Sequence, residues 1–256
     1  MPIARLSHDG RHVDIAYAES GEGFPVLLIH GFASNKETNW INTGWFKALA
    51  ASGFRAIALD NRGHGASTKF HRESDYSLDA MAGDALALLD FLGIERAHVC
   101  GYSMGARICC MLAMGHGKRI GKAVFSGNGW AMVEGSGDWA PVRDALLADS
   151  LGEVTDLRAR AFRVFADQTK SDRKALAACV ASIRQKFTLG DLGKIANPVL
   201  VAVGSKDSIA GSGEKLAAAL PHGEFFEIPD RDHMRAVGVK QHIAAILAFL
   251  QRQVKN

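Results

Sequence analysis

The sequence predicts an α/β protein built on a mostly parallel central sheet with helices on both faces. Three observations carry that expectation. Short, continuously apolar runs such as residues 24–29 and 55–59 read as strands covered on both faces rather than on one. Helix-patterned stretches alternate with those runs along the chain. The chain, 256 residues with 48% hydrophobic content, is long enough to bury the large core such a sheet needs.

The elements follow in order. Residues 5–7 and 12–18 flank Asp9-Gly10, a hairpin turn signal. The strand at 24–29 ends in His30-Gly31-Phe32. Residues 45–51 form a helix closed by Gly53, and 55–59 a strand ending in Asp60-Asn61-Arg62-Gly63-His64-Gly65. Residues 77–92 form a helix: Ser77 is its N-cap, Asp79 lies in its first turn and Gly93 stops it. Leu78, Met81, Ala85, Leu88 and Leu92 share one face of it. A strand at 94–100 leads to a helix at 106–114 that is apolar nearly all round, as one buried against a sheet should be. Further strands are expected at 122–125, 198–203 and 224–228, with helices at 214–220 and 242–254.

Residues 129–197 break the alternation. They open with glycines and two tryptophans, continue with helical patterns near 154–167 and 172–186, and contain no convincing strand. The expected organisation is a core of 1–128 and 198–256 with a small helical cap, 129–197, inserted between two strands.

Bulk properties exclude several functions. The net charge is +3 and no basic run is dense enough to hold a phosphate backbone, so nucleic acid is not an expected partner. No apolar run approaches the roughly 18 residues of a membrane span, and the first ten residues lack a signal-like apolar core. Cys100, Cys109, Cys110 and Cys179 form no C-x-x-C pair and read as small apolar filler, consistent with a cytoplasmic protein. The one H-x-x-x-H spacing among the ten histidines, His8 to His12, straddles the Asp9-Gly10 turn signal rather than a helix, so neither a metal nor another cofactor is expected.

One segment points to chemistry. Gly101-Tyr102-Ser103-Met104-Gly105 places a serine between two glycines, with a strand before it and a helix after it. A chain turning that sharply strains its central residue and leaves no room for side chains at the flanking positions. The serine oxygen then stands above the sheet beside helix amides, a place to attack a carbonyl. Such a serine needs a base and a group to orient the base. In an α/β sheet those belong just past strand carboxyl ends. Asp207 follows the strand at 198–203, and His233 follows the strand at 224–228. Asp230 and Asp232 flank His233 and stay open as alternative acids.

With these motifs in order, the chain resembles the α/β-hydrolase superfamily over nearly its whole length. Leu28-Ile29-His30-Gly31-Phe32 looks like its oxyanion strand end, and Asp60-Asn61-Arg62-Gly63-His64-Gly65-Ala66-Ser67 like its D-x-R-G-x-G-x-S turn. Gly101–Gly105, Gly204-Ser205-Lys206-Asp207 and Asp232-His233 look like its nucleophile, acid and base loops. The resemblance implies that Ser103 attacks an acyl carbon, His233 shuttles the proton and Asp207 fixes the imidazole. It also implies that the amides of Phe32 and Met104 hold the oxyanion. His30 and His64 read as structural, Arg107 as a tie to a neighbouring loop, and Ser126 as support behind the site. Trp130, Met132 and Trp139 stand as candidates to line a substrate pocket from the cap or simply to pack it.

A serine at this position argues against the aspartate-dependent epoxide hydrolases and dehalogenases of the superfamily. The expected activity is hydrolysis of small to medium acyl substrates, with carboxylic esters foremost. Carbon–carbon bond hydrolysis, lactone hydrolysis and cofactor-free perhydrolysis remain as alternatives, with a non-catalytic ligand receptor behind them. Cap arginines Arg143, Arg158, Arg160 and Arg163 are candidates to meet a substrate carboxylate.

Overall fold

The computed structural model describes residues 1–8 and 10–253. Its centre is an eight-stranded sheet: β1 (Ile3–His8), β2 (Arg11–Ser20), β3 (Phe24–Ile29), β4 (Phe54–Leu59), β5 (Ala97–Tyr102), β6 (Ile120–Ser126), β7 (Val199–Gly204) and β8 (Gly223–Ile228). The spatial order is β1-β2-β4-β3-β5-β6-β7-β8. β2 pairs antiparallel with both β1 and β4, and every other pairing is parallel. The hairpin expected around Asp9-Gly10 is present as the β1–β2 pair; Asp9 itself lies outside the described residues, and Gly10 has φ +68°.

Alternation along the strands explains their continuous apolar runs. In β3, Leu27 and Ile29 enter the core on one face, while Val26 and Leu28 enter a second core on the other. The first face is covered by α2 (Leu78–Phe91) and α3 (Met104–His116), the second by α1 (Trp45–Ala51) and, past the last strand, by a C-terminal helix at Lys240–Gln251. Ser77 caps α2 by accepting the Ala80 N–H at 3.0 Å, as its sequence position suggests.

Five helices fill the interval between β6 and β7: α4 (Ala131–Glu134), α5 (Ala140–Leu147), α6 (Leu157–Gln168), α7 (Arg173–Ser182) and α8 (Leu189–Leu192). No strand occurs there among the described residues. After β7 come α9 (Gly213–Ala218), β8 and α10 (Lys240–Gln251). α7 stops at Ser182, short of the expected 186, because the chain must turn so that the Phe187 N–H can reach Met132 O (3.0 Å) while Phe187 enters the core. α10 starts two residues earlier than expected, and Val254 lies outside the described residues. The expected strand at 94–100 runs instead from 97 to 102, since Ile94 closes the turn after α2 through its bond to Leu89 O. A short π-helical turn at Glu37–Ile41, α4, α5 and α8 carry no strong periodicity and were not expected.

The consequence for function is geometric. β3, β5, β6, β7 and β8 are mutually parallel, so their carboxyl ends share one edge of the sheet. Phe32, Ser103, Asp207 and His233 all follow those ends, and the helical insertion after β6 leaves from the same edge.

Candidate active site

Ser103 sits between β5 and α3 with φ 53° and ψ −110°, outside the common regions for a side-chain-bearing residue. The surrounding packing holds it there. A Cβ on Gly101 would lie 2.2 Å from Gly105 C and O, and one on Gly105 would lie 1.9 Å from Ile29 O. The Ser103 N–H donates to Ser126 O (2.7 Å), and Asn128 Nδ2 donates to Ser103 O (3.2 Å). The backbone is thus anchored on both sides, leaving Oγ to project.

Oγ lies 2.9 Å from His233 Nε2, and His233 Nδ1 lies 2.8 Å from Asp207 Oδ2. Asp207 Oδ1 accepts the Ile209 and Ala210 N–H groups, both at 2.9 Å. Burial pushes the Asp207 carboxyl upward, but its hydrogen bond and charge interaction with His233, with the two amides, outweigh burial and hold it below the usual carboxylate range. The alternative acids are placed elsewhere. Asp230 is exposed and pairs with Lys206 at 2.8 Å, and Asp232 Oδ1 accepts the Met234 and Arg235 N–H groups.

Met104 is the first residue of α3, so its N–H is one of the helix's unpaired amides. Phe32 follows the end of β3, and both residues line the cavity at Ser103. The preceding amide, Gly31 N–H, is occupied by Asn39 Oδ1 at 2.8 Å. Phe32 and Met104 border the cavity at Ser103 from the end of β3 and the start of α3.

Nearby polar groups have structural partners. The His30 ring bridges Gly31 O (2.7 Å) and the Asn61 N–H (3.0 Å). His64 Nδ1 contacts Arg62 O at 3.0 Å, and burial pulls that imidazole down to about 3. Asp60 accepts Lys36 N, Lys36 Nζ and Ala66 N, all at 2.8 Å. A Cβ at Gly65 would fall 2.1 Å from the Asp60 carboxylate, which explains the glycine in that turn. Ser126 Oγ lies 2.9 Å from His242 Nε2. All four cysteines are free and buried, and burial pushes Cys110 and Cys179 up to about 12. Among the described residues no group of His, Cys, Asp and Glu side chains could hold a metal ion, and no helix is long and apolar enough to cross a membrane.

Of the three pocket candidates, the structure brings only Trp139 to Ser103. It lines the cavity there with Phe162, Ile183 and Ile209. Trp130 lines a separate cleft with Lys215 over its ring at 4.1 Å, because Trp130 N–H bonds to Ser212 O and turns the residue toward α9. Met132 is fully buried in the core. The four arginines of the 129–197 interval bond within it: Arg143 pairs with Asp144, Arg158 donates to Ser136 O and Asp138 O, Arg160 to Leu151 O, and Arg163 to Ala145 O, Ala148 O and Asp167. Arg107 Nη2 donates to Gln185 O, the expected tie to a neighbouring loop.

Some supports had no signal in the sequence. Tyr102 Oη donates to His233 O at 2.5 Å across a separation of 131 residues. Asn39 and Asn128 act likewise on Gly31 and Ser103. Only tertiary proximity selects them.

Residues 25–160, more than half of the chain, match the family model for the alpha/beta hydrolase fold, and the chain belongs to that family. Among its relatives is a protein of Mycobacterium tuberculosis provisionally named non-heme bromoperoxidase BpoC, 29% identical over 246 residues that cover 87% of this chain and 91% of that one. Among solved structures, a hydrolase from Pseudomonas aeruginosa superposes with a TM-score of 0.80 at 25% identity, covering 98% of both chains. A bromoperoxidase from Bacillus anthracis superposes at 0.79 and 26% identity, covering 98% of this chain and 100% of its own.

Proposed function

We propose that this protein is a serine hydrolase of small to medium acyl substrates, foremost carboxylic esters. The Ser103–His233–Asp207 chain of contacts at 2.9 and 2.8 Å is the observation that carries the reading. His233 Nε2 takes the Ser103 proton as Oγ attacks the acyl carbon, and the carbonyl oxygen becomes an oxyanion held by the Phe32 and Met104 amides. Collapse of that intermediate breaks the bond to the leaving group, which receives the proton from His233 and leaves the acyl group on Ser103. Water, deprotonated by His233, then attacks the acyl-enzyme and regenerates Ser103. Asp207 holds the Nδ1–H tautomer and offsets the transient positive charge on the ring. Residues 129–197 act as the cap, and Trp139 and Phe162 bring it over Ser103.

The cavities adjoining Ser103 measure about 30 and 40 Å³, which supports short acyl chains over long ones. Two of the relatives carry a bromoperoxidase name, which motivates hydrogen peroxide as a second acceptor for the acyl group. Hydrolysis of p-nitrophenyl acetate and butyrate by wild type and Ser103→Ala tests the proposal. A loss of at least roughly 10³-fold is expected, with covalent labelling of wild type alone by a fluorophosphonate. Equal rates for the two proteins would overturn it. A peroxide arm measures how the acyl-enzyme partitions between acceptors.

A further inference from the structure

We infer that the acyl substrate carries a free carboxylate, received by Arg107 and Arg184 beside the nucleophile. The inference rests on the hydrolase reading above and names its substrate class.

Two cavities meet at Ser103 and differ in character. One is bounded by Gly31, Asn39, Phe162, Phe165, Met234 and Val237, and among the described residues His233 and Tyr102 are the titratable groups on its wall, with no arginine, lysine or carboxylate. The other adds Arg107 and Arg184 to Met104, Asn128, Trp139 and Ile209. Arg107, Ser136, Trp139 and Arg184 also wall a cleft of about 370 Å³, so the two guanidinium groups stand between the nucleophile and that larger space. The cleft further presents Arg143, Lys186, Glu73 and Asp138. Arg143 is already paired with Asp144. Glu73 and Asp138 line the cleft but not the cavity at Ser103, which contains no carboxylate on its wall.

Neither guanidinium is neutralised by the protein. Arg107 is only 9% exposed, donates Nη2 to Gln185 O, lies 5.4 Å from the Phe187 ring centre, and leaves Nε buried without a partner. Arg184 donates Nε to Val180 O at 3.0 Å and stacks on Trp139 at 4.1 Å. Among the described residues, no carboxylate lies within ion-pair distance of either. Burial and the neighbouring Arg107 charge pull Arg184 down to about 9, and burial pulls Arg107 down as well.

Two half-desolvated like charges without a counter-ion are costly to maintain. A carboxylate supplies the missing acceptors, and planar guanidinium groups suit its two oxygens. Arg107 lies four residues after Ser103, one turn along α3. An anion held there belongs to the molecule whose acyl carbon faces Oγ. The apolar cavity on the other side receives the uncharged part.

The test compares ethyl butyrate with monoethyl succinate, in which a carboxylate replaces the terminal methyl, and with O-butyryl glycolate, in which the carboxylate sits on the leaving group. Wild type is expected to favour at least one anionic ester by about tenfold or more in kcat/KM. Arg184→Gln should cut that preference about tenfold, chiefly through KM, and Arg184→Lys should restore part of it. Succinate should inhibit wild type competitively and more weakly at high salt, a measurement that needs no variant. Ser103-dependent cleavage with no anionic preference, or with a preference that Arg184→Gln leaves intact, overturns this inference while the hydrolase reading stands. Absence of Ser103-dependent cleavage of all three esters overturns both.

Discussion

Gly105 and Gly115 lie on the same helix, ten residues apart, and the space around them differs completely. A methyl on Gly105 would enter the backbone of β3, 1.9 Å from Ile29 O and 2.6 Å from Ile29 C. Neither group is a flexible side-chain end, so the nucleophile turn would have to lift off the sheet. Gly115 has nothing within 4 Å of its virtual Cβ and is exposed near the end of α3. Gly105→Ala is therefore expected to destabilise by about 3 kcal/mol or more. Gly115→Ala should stabilise by roughly 0.5–1 kcal/mol, the ordinary helix preference for alanine over glycine. Urea unfolding of the two variants checks the pair. A loss in Gly115→Ala would mean that the open space and helix preference there have been misjudged, and an unchanged Gly105→Ala that the contact at β3 has been. At this scale, the G-x-S-x-G spacing already implied the clash; what it collides with could be read only from the folded chain.

At the scale of elements, the legible parts were those under strong local constraint. Strands covered on both faces, the N-cap at Ser77 and the glycine stops after α1 and α2 follow from composition and turn chemistry. Loops past parallel strand ends follow from topology, so the meeting of Ser103, His233 and Asp207 could be anticipated from their order. The insertion was different. Its helices are short, α4 and α8 only four residues each, and tertiary packing selects them. Which cap side chain faces the nucleophile depends on how α5, α6 and the segment after α7 pack, so Trp139 and Trp130 could not be told apart from their neighbours in sequence. Phe162 on α6 shows the same dependence: it borders both cavities at Ser103, with its ring 5.9 Å from Phe32 and 5.1 Å from Trp139. Phe162→Ala should merge the two spaces and raise kcat/KM for an octanoyl ester relative to a butyryl ester by roughly tenfold. The variant costs about 3–5 kcal/mol of stability, but a ratio of two substrates on one preparation does not depend on the folded fraction. An unchanged ratio would place the limit on acyl length elsewhere.

Across the whole molecule, the buried histidines tie stability to pH. His64 and His242 are completely inaccessible, and burial pulls them down to about 3 and about 4. Burial keeps His242 neutral against the carbonyl contacts, which favour the proton: Nδ1 lies toward Ala236 O and Val237 O, and Nε2 toward Ser126 Oγ. In the unfolded chain both rings titrate near the ordinary value of 6.5. Above that pH neither state binds the protons and the contribution to stability is complete. As pH falls below 6.5 the unfolded state takes up protons that the folded state refuses, so stability declines until the folded values near 4 and 3 are reached. These two groups alone give a slope of up to about 2.7 kcal/mol per pH unit in that window, and His30 and His98, which burial also pulls down, add to it. The depressed Asp207 and Asp60 carboxyls act in the same direction but lower, where the unfolded carboxyl at 3.8 begins to protonate. Urea unfolding from pH 7.5 to 4.5 should therefore show a flat region above 7 and a steep loss below 6.5. His242→Gln should be less stable at pH 7.5, because Ser126 and the two carbonyls lose their partner, yet show a shallower loss on acidification by about one proton. An equal slope in wild type and His242→Gln would mean that other groups set the acid sensitivity and that burial does not keep His242 neutral.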